Sequence, residues 1–348
     1  MVPSHSTRQD GAVHTDTSVP LPSFDDLRDR VHVVSLPLAT RFRGIEVREA
    51  AIIEGPAGWT EFSPFLEYDD PEAATWLAAA LDYGWMPQPA PLRDTVGVNA
   101  TVPAVPASAV ADVLARFDGC RTAKVKVAEP GQTLADDVAR VRAVREAMGA
   151  EGRVRIDANG AWNLDEAEHA VRAMEEYDLE YVEQPCADID EMAQLRSRIA
   201  HLGIPIAADE SIRKAADPLA VARAGAADLI VVKVQPLGGV RRALEIVAAS
   251  GLPAVVSSAL DTSVGLAMGV ALAAALPDLD YDCGLGTAAL FTADVAASPL
   301  APRGGTLTVG RVDADPSLLH AHAAGAERRD WWLARIRRCL AHLEHTRT

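Results

Sequence analysis

Val154-Arg-Ile-Asp157-Ala-Asn159 is a short apolar run that ends on a carboxylate, and the chain repeats this figure twice. Tyr181-Val-Glu183-Gln-Pro185 comes next, then Ile206-Ala-Ala-Asp209-Glu-Ser211, with 26 residues from each acid to the following one. That interval is about the length of one strand, one crossover helix and two loops. Successive parallel strands of a closed barrel would carry Asp157, Glu183 and Asp209 to one rim. Three oxygen donors without an intervening base describe a site for a hard divalent cation, Mg²⁺ before Zn²⁺. The spacing therefore predicts an enzyme.

Outward from these runs the rhythm is strict alternation. Strands are expected at Thr95–Asn99, Thr122–Val127, Arg153–Asp157, Tyr181–Glu183, Pro205–Ala207, Leu229–Lys233, Ala254–Ser257 and Leu279–Cys283. Helical periodicity fills the gaps, as in Leu134–Met148, Asp165–Tyr177, Asp217–Ala224 and Val240–Ala249. Eight strands alternating with helices fit an α/β barrel better than an open doubly wound sheet, because Asn99-Ala-Thr-Val-Pro103 is no Gly-rich phosphate turn. Before the barrel, strand patterns from Val31 to Glu61 and a helix over Asp70–Leu81, with Asp70 as N-cap, predict a small α+β domain. The boundaries read as a disordered tail over 1–26, a capping domain over 27–92, the barrel over 93–286, and a C-terminal segment over 287–348 that packs back on the cap.

Of the 348 residues 49% are hydrophobic, enough for a sizeable core, and 33 Lys plus Arg against 49 Asp plus Glu give a net charge of −16. Such a chain should repel nucleic acid and anionic membrane surfaces. The longest apolar stretch, Val264 to Leu276, is too short to span a bilayer and predicts a buried helix. Cys120, Cys186, Cys283 and Cys339 form no CxxC pair, and the N-terminus has no apolar leader, so a cytoplasmic protein is expected.

At the strand ends the sequence places Asn99, Lys124 and Lys126, Asp157, Glu183, Asp209, Lys233, Ser257 and Ser258, then Asp282 to Gly284. Period two puts Lys124 and Lys126 on one face of their strand. The lysines of the second and sixth strands thus flank the carboxylates of the third to fifth. A cation between two lysines suits removal of a proton next to a carboxylate. Singly, a Lys-x-Lys is usually a solvated face and a strand-end Asp a helix cap. Six charged residues at the ends of five consecutive apolar strands change that balance, because charge inside a barrel is expensive unless paired or metal-bound. The scattered histidines form no HExxH, Gly284-Leu-Gly286 alone marks no phosphate site, and Ser257-Ser258 lacks a nucleophile elbow. Those serines are better placed to hydrogen-bond a substrate carboxylate.

Lys-x-Lys, Asp-Ala-Asn, Glu-Gln-Pro, Ala-Asp-Glu-Ser and Lys233-Val-Gln-Pro-Leu-Gly-Gly239 together resemble the enolase superfamily in its muconate-lactonising branch, over roughly residues 30 to 310. The resemblance implies an α+β cap on a modified (β/α)₇β barrel. It implies Mg²⁺ on Asp157, Glu183 and Asp209, and leaves open whether Mn²⁺ can replace it. Lys126 would be the general acid/base, Lys124 would tune it, and Lys233 would face it. From the strand ends, Asn99, Ser257, Ser258 and Gly284 are expected to contact a small carboxylate substrate, and Arg155 either to orient that site or to pair with a neighbouring carboxylate. Phe42-Arg-Gly-Ile45, Gly55-Pro-Ala-Gly-Trp-Thr-Glu-Phe62, Ser257-Ser-Ala-Leu-Asp-Thr262 and Cys283-Gly-Leu-Gly-Thr287 are similar to the o-succinylbenzoate synthase family in its actinobacterial form. That similarity implies dehydration of a succinyl-hydroxycyclohexadiene carboxylate on the menaquinone pathway.

Within the superfamily the rivals are N-acylamino acid racemases and dipeptide epimerases, for which Asp280-Tyr-Asp282 is a formal match, and muconate cycloisomerases. A non-catalytic barrel is the rival of another class, and the flanking lysines argue against it. Arg43, Gly44 and the loop from Trp59 to Phe65 are expected to shape the substrate end.

Overall fold

The computed structural model describes residues 21–42, 44–213 and 217–347. A short helix, α1 (Phe24–Arg28), opens the described chain, capped by a reciprocal pair of bonds between Ser23 and Asp26, with Leu27 wholly buried. The expected tail to residue 26 is therefore corrected from Ser23 onward; Met1 to Pro20 lie outside the described residues. Strands β1 (Val31–Phe42), β2 (Ile45–Gly55) and β3 (Gly58–Phe62) form an antiparallel sheet in that order. The turn between β2 and β3 pairs Gly55 with Gly58, whose φ of +127° excludes most side chains. Helix α2 (Asp70–Trp85) lies against the sheet so closely that a Cβ on Gly55 would meet the Gly84 carbonyl at 2.2 Å. Its N-cap is Asp69, which accepts from the Glu72 N–H at 2.9 Å, one residue before the expected Asp70.

Strands then alternate with helices. β4 (Thr95–Gly97), β5 (Ala100–Val102), α3 (Val110–Leu114), β6 (Thr122–Lys126), α4 (Leu134–Met148), β7 (Arg153–Asp157), α5 (Leu164–Met174) and β8 (Leu179–Glu183) come first. α6 (Ile189–Ile199), β9 (Ile206–Ala208), α7 (Glu210–Arg213), α8 (Ala220–Ala224), β10 (Leu229–Val232), α9 (Val240–Ser250), β11 (Ala254–Val256) and α10 (Ser263–Ala275) follow. β5 to β11 form one parallel sheet in sequence order. Outward-facing Ala123 and Val125 are wholly buried against helices, while Tyr181, Ala207, Leu229, Val231 and Val255 fill the interior.

Two expected strands differ. Thr95–Asn99 is not the first stave: β4 pairs antiparallel with β12 (Thr306–Thr308), and β5 takes the place in the sheet. Leu279–Cys283 forms no extended strand. Cys283 and Gly284 instead bridge the sheet's two edges, with Asn99 N–H donating to Cys283 O at 2.9 Å and Gly284 N–H to Val256 O at 2.8 Å. Those bonds complete the ring and produce the modified (β/α)₇β barrel. After α11 (Pro316–Ala321), helix α12 (Ala326–Arg347) packs on α2 and the cap sheet, where Trp332, Ile336 and Cys339 share a core with Phe62 and Trp76. Arg328 and Trp332 both bind Glu49, at 2.6 and 2.8 Å.

Candidate active site

Register sets the first row of the site. Lys126 lies opposite Asp157 on β6 and β7, and Asp157 opposite Glu183 on β7 and β8. Asp209 follows β9 directly. Gln184, with φ +37°, turns its side-chain oxygen to the Asp209 N–H (2.9 Å) and the Ser211 N–H (3.1 Å), so the Glu-Gln-Pro motif fixes the neighbouring acid. Lys233 follows β10 and stands on the far side of Asp209.

The three carboxylates are buried and each meets a lysine. Lys124 Nζ lies 2.8 and 2.9 Å from the Glu183 oxygens and 3.3 Å from Asp157 Oδ2. Lys126 binds Asp157 Oδ2 and, at 2.8 Å, Asn159 Oδ1. Lys233 binds Asp209 Oδ2, and Arg213 Nε donates to Asp209 Oδ1 at 3.2 Å. Burial opposes ionisation of Asp157, but Lys126 and Lys124 overcome it and hold that carboxyl well below the usual range. Burial likewise opposes Asp209, and Lys233 with Arg213 brings it down to about 2. Glu183 differs: burial, and then the Asp157 charge, push it up to about 7. Burial also lowers Lys233 below its ordinary value despite Asp209. For Lys124 burial works the same way, yet Glu183 and Asp157 raise it.

Among the described residues no three His, Cys, Asp or Glu side chains close on one point. The donor chemistry nevertheless fits a hard cation. Asp157, Glu183 and Asp209 supply only oxygen donors, all three are buried, and Lys124 alone reaches two of them, with Lys233 on the third. These are the residues that could hold a metal.

A cavity of about 30 Å³ opens over them, lined by Lys124, Lys126 and Lys233, by Ser257, Ser258 and Gly284, and from the cap by Phe42, Phe65, Tyr68 and Trp76. It shares Phe42, Lys126 and Asn159 with a wider pocket of about 490 Å³ that also touches Arg41 and Gly44. Ser258 Oγ is held by Gly284 O at 2.9 Å and Thr287 Oγ1 at 2.8 Å. Gly284 is tight against its neighbour, since a Cβ there would meet Ser257 Oγ at 2.5 Å. Arg43 lies outside the described residues.

Asn99, expected at the substrate, does not line the cavity, and neither does Arg155, which follows the alternative expected for it, pairing with a neighbouring carboxylate. Arg155 pairs with Glu180, donates to Asp282 O at 2.6 Å and to Asn99 Oδ1 at 3.2 Å, and stacks over Tyr181. It shares a strand face with Asp157 but sits one pleat repeat, about 7 Å, further down the barrel. Asp282 binds Thr122 at 2.6 Å and Arg153 at 3.2 Å, at the starts of β6 and β7, so the Asp-x-Asp is at the end opposite the cavity. Asn159, Glu210 and Arg213 line the cavity and were not singled out by sequence. Their signal lay one or more residues beyond each acid, in Asp-Ala-Asn and Asp-Glu-Ser-Ile-Arg.

Residues 33–84 match the family described as enolase N-terminal domain-like, and residues 107–313 the one described as enolase C-terminal domain-like. The o-succinylbenzoate synthase of Mycolicibacterium smegmatis is 58% identical over 322 residues, covering 92% of this chain and 98% of that protein. The chain belongs to the o-succinylbenzoate synthase family. Another o-succinylbenzoate synthase, from Mycobacterium marinum, is 56% identical over 90% of this chain and 94% of its own length. Among solved structures, a muconate lactonizing enzyme from Pseudomonas fluorescens superposes with a TM-score of 0.72 at 21% identity, covering 85% of this chain and 98% of its own. An N-succinyl Arg/Lys racemase from Bacillus cereus gives 0.71 at 18%, covering 85% and 97%. These two share the fold. The o-succinylbenzoate synthases are metal-dependent lyases of the enolase superfamily.

Proposed function

We propose that this chain dehydrates 2-succinyl-6-hydroxy-2,4-cyclohexadiene-1-carboxylate to o-succinylbenzoate, a step of menaquinone biosynthesis, with Lys126 as general acid/base. The observation that carries the reading is one cavity with Lys126 and Lys233 on opposite walls above three buried carboxylates. Asp157, Glu183 and Asp209 would hold Mg²⁺, with Mn²⁺ able to replace it. When bound, the cation supplies positive charge for the substrate carboxylate as the adjacent proton leaves.

Lys126 Nζ takes the proton from the ring carbon that bears the carboxylate. The C–H pair becomes the new ring double bond, the C–O bond to the hydroxyl breaks, and the same lysine returns its proton so that water departs. Asn159 and Asp157 orient the lysine for this. Lys233 supports the ring from the opposite wall by a cation–π contact. Ser257 and Ser258 fit as hydrogen-bond partners for the ring carboxylate. The deep cavity is smaller than the substrate, so the succinyl arm leads into the wider pocket beside Arg41 and Gly44. A cytoplasmic location agrees with this reading and with four free cysteines. No described helix is long and apolar enough to cross a membrane.

Mass spectrometry of the product tests the assignment against its rivals. Loss of one water from the hydroxycyclohexadiene, with no deuterium exchange into N-acylamino acids or dipeptides, is expected. Exchange into dipeptides without the dehydration would replace this reading with an epimerase.

A further inference from the structure

The cavity wall Ser257–Leu260 follows β11, and one of its residues is in an unusual conformation. Leu260 has φ +63°, a region that a branched side chain avoids unless its surroundings enforce it. The enforcement comes from the cap. Arg48 of β2, 2% exposed, donates through Nε to Leu260 O at 3.1 Å and through Nη2 to Ala259 O at 3.4 Å. The same Nη2 binds Ser63 O, and the guanidinium lies 4.3 Å from the centre of the Phe65 ring. Ala259, Leu260 and Phe65 all line the cavity. One planar cation therefore ties two of its walls together, one from each domain.

Its surroundings hold that cation in place. Glu61 accepts from Thr262 Oγ1 at 2.6 Å, Gly265 N–H at 3.1 Å and Ser63 Oγ at 2.5 Å. Asp261 accepts from Gln235 Nε2 at 3.0 Å and Ala259 N–H at 3.3 Å. Both carboxylates are buried and both feel the Arg48 charge. A lysine could supply the charge but not the fork, because an ammonium is a point donor and cannot span carbonyls on two loops with fixed geometry.

We propose that Arg48 is a positioning residue for substrate binding, holding Leu260 in its left-handed conformation so that the Ser257–Leu260 wall is preformed when the ring enters. The proposal rests on the reading that this cavity receives the substrate. Arg48→Lys in the full chain tests it, since the retained charge still serves Glu61 and Asp261. KM for the hydroxycyclohexadiene should rise about tenfold with kcat changed by less than about threefold, the pattern of lost uniform binding. Amide hydrogen exchange across 257–262 should speed up about tenfold in Arg48→Lys. That exchange reads the wall whether or not the chosen substrate turns over, so a wrong substrate and a wrong role for Arg48 give different results. Wild-type exchange in the segment, or a KM within about twofold of wild type, overturns the proposal.

Discussion

Glu61→Gln should change how stability depends on pH, by an amount the structure sets. Glu61 is completely buried between the cap and the N-terminus of α10, and burial, then the neighbouring Asp261, push its carboxyl from 4.5 up to about 7. Between those values the native state keeps a proton that the unfolded chain has released, so stability falls as pH rises. Each pH unit removes about 1.4 kcal/mol, roughly 3 kcal/mol across the window. Above pH 7 the loss is complete; below 4.5 it is absent. The glutamine keeps an oxygen for the Thr262 and Gly265 N–H groups but cannot ionise. Urea unfolding of wild type and variant at several pH values from 4.5 to 8 isolates this carboxyl, because the other titrating groups largely cancel in the difference. The wild type should lose roughly 3 kcal/mol relative to Glu61→Gln as the pH rises. Parallel profiles would refute the claim that a buried, proton-holding acid joins the two domains.

Other substitutions probe the site itself. Asp209→Asn should weaken Mg²⁺ binding at least tenfold by calorimetry, since it removes one of three carboxylates and leaves Lys233 without its partner. Arg155→Met should cost about 1–3 kcal/mol in urea unfolding, because it leaves Asp282 O and Asn99 Oδ1 without their buried donor and Glu180 with Arg153 alone, while KM stays within about twofold if Arg155 supports the barrel rather than touching substrate. Gly284→Ala should raise KM and destabilise by about 1–3 kcal/mol, since the added methyl displaces Ser257 from the cavity wall.

Much of the barrel was legible because its staves carry their own pattern. Arg153–Asp157 and Leu134–Met148 fall where periodicity put them, and Leu229–Lys233 is one residue longer than β10. Thr95–Asn99 misled because β4 is a strand by local pattern but takes its partner from Thr306–Thr308, about 200 residues on, which alternation cannot reveal. Leu279–Cys283 misled in the opposite sense: closing the ring needs only the backbone of Cys283 and Gly284, a contact too short to leave a periodic signature. The charged rim followed from spacing, since register alone aligns Lys126, Asp157 and Glu183. Depth along a strand did not. Period two assigns Arg155 to the correct face without saying that it lies one repeat below the cavity. The hold of Arg48 on Leu260 was also hidden, because it joins residues 212 positions apart through a backbone carbonyl, which any residue type could present.

Lys126, above three carboxylates that would hold a cation, is the residue proposed to aromatise the hydroxycyclohexadiene. The most direct measurement is the absorbance change on aromatisation with Mg²⁺, run for wild type, for wild type with chelator and for Lys126→Ala. The account predicts turnover by the wild type that is lost with chelator and reduced at least about a hundredfold in Lys126→Ala, which should still bind Mg²⁺. A folded, metal-loaded wild type without turnover, or a Lys126→Ala variant as fast as wild type, would contradict it.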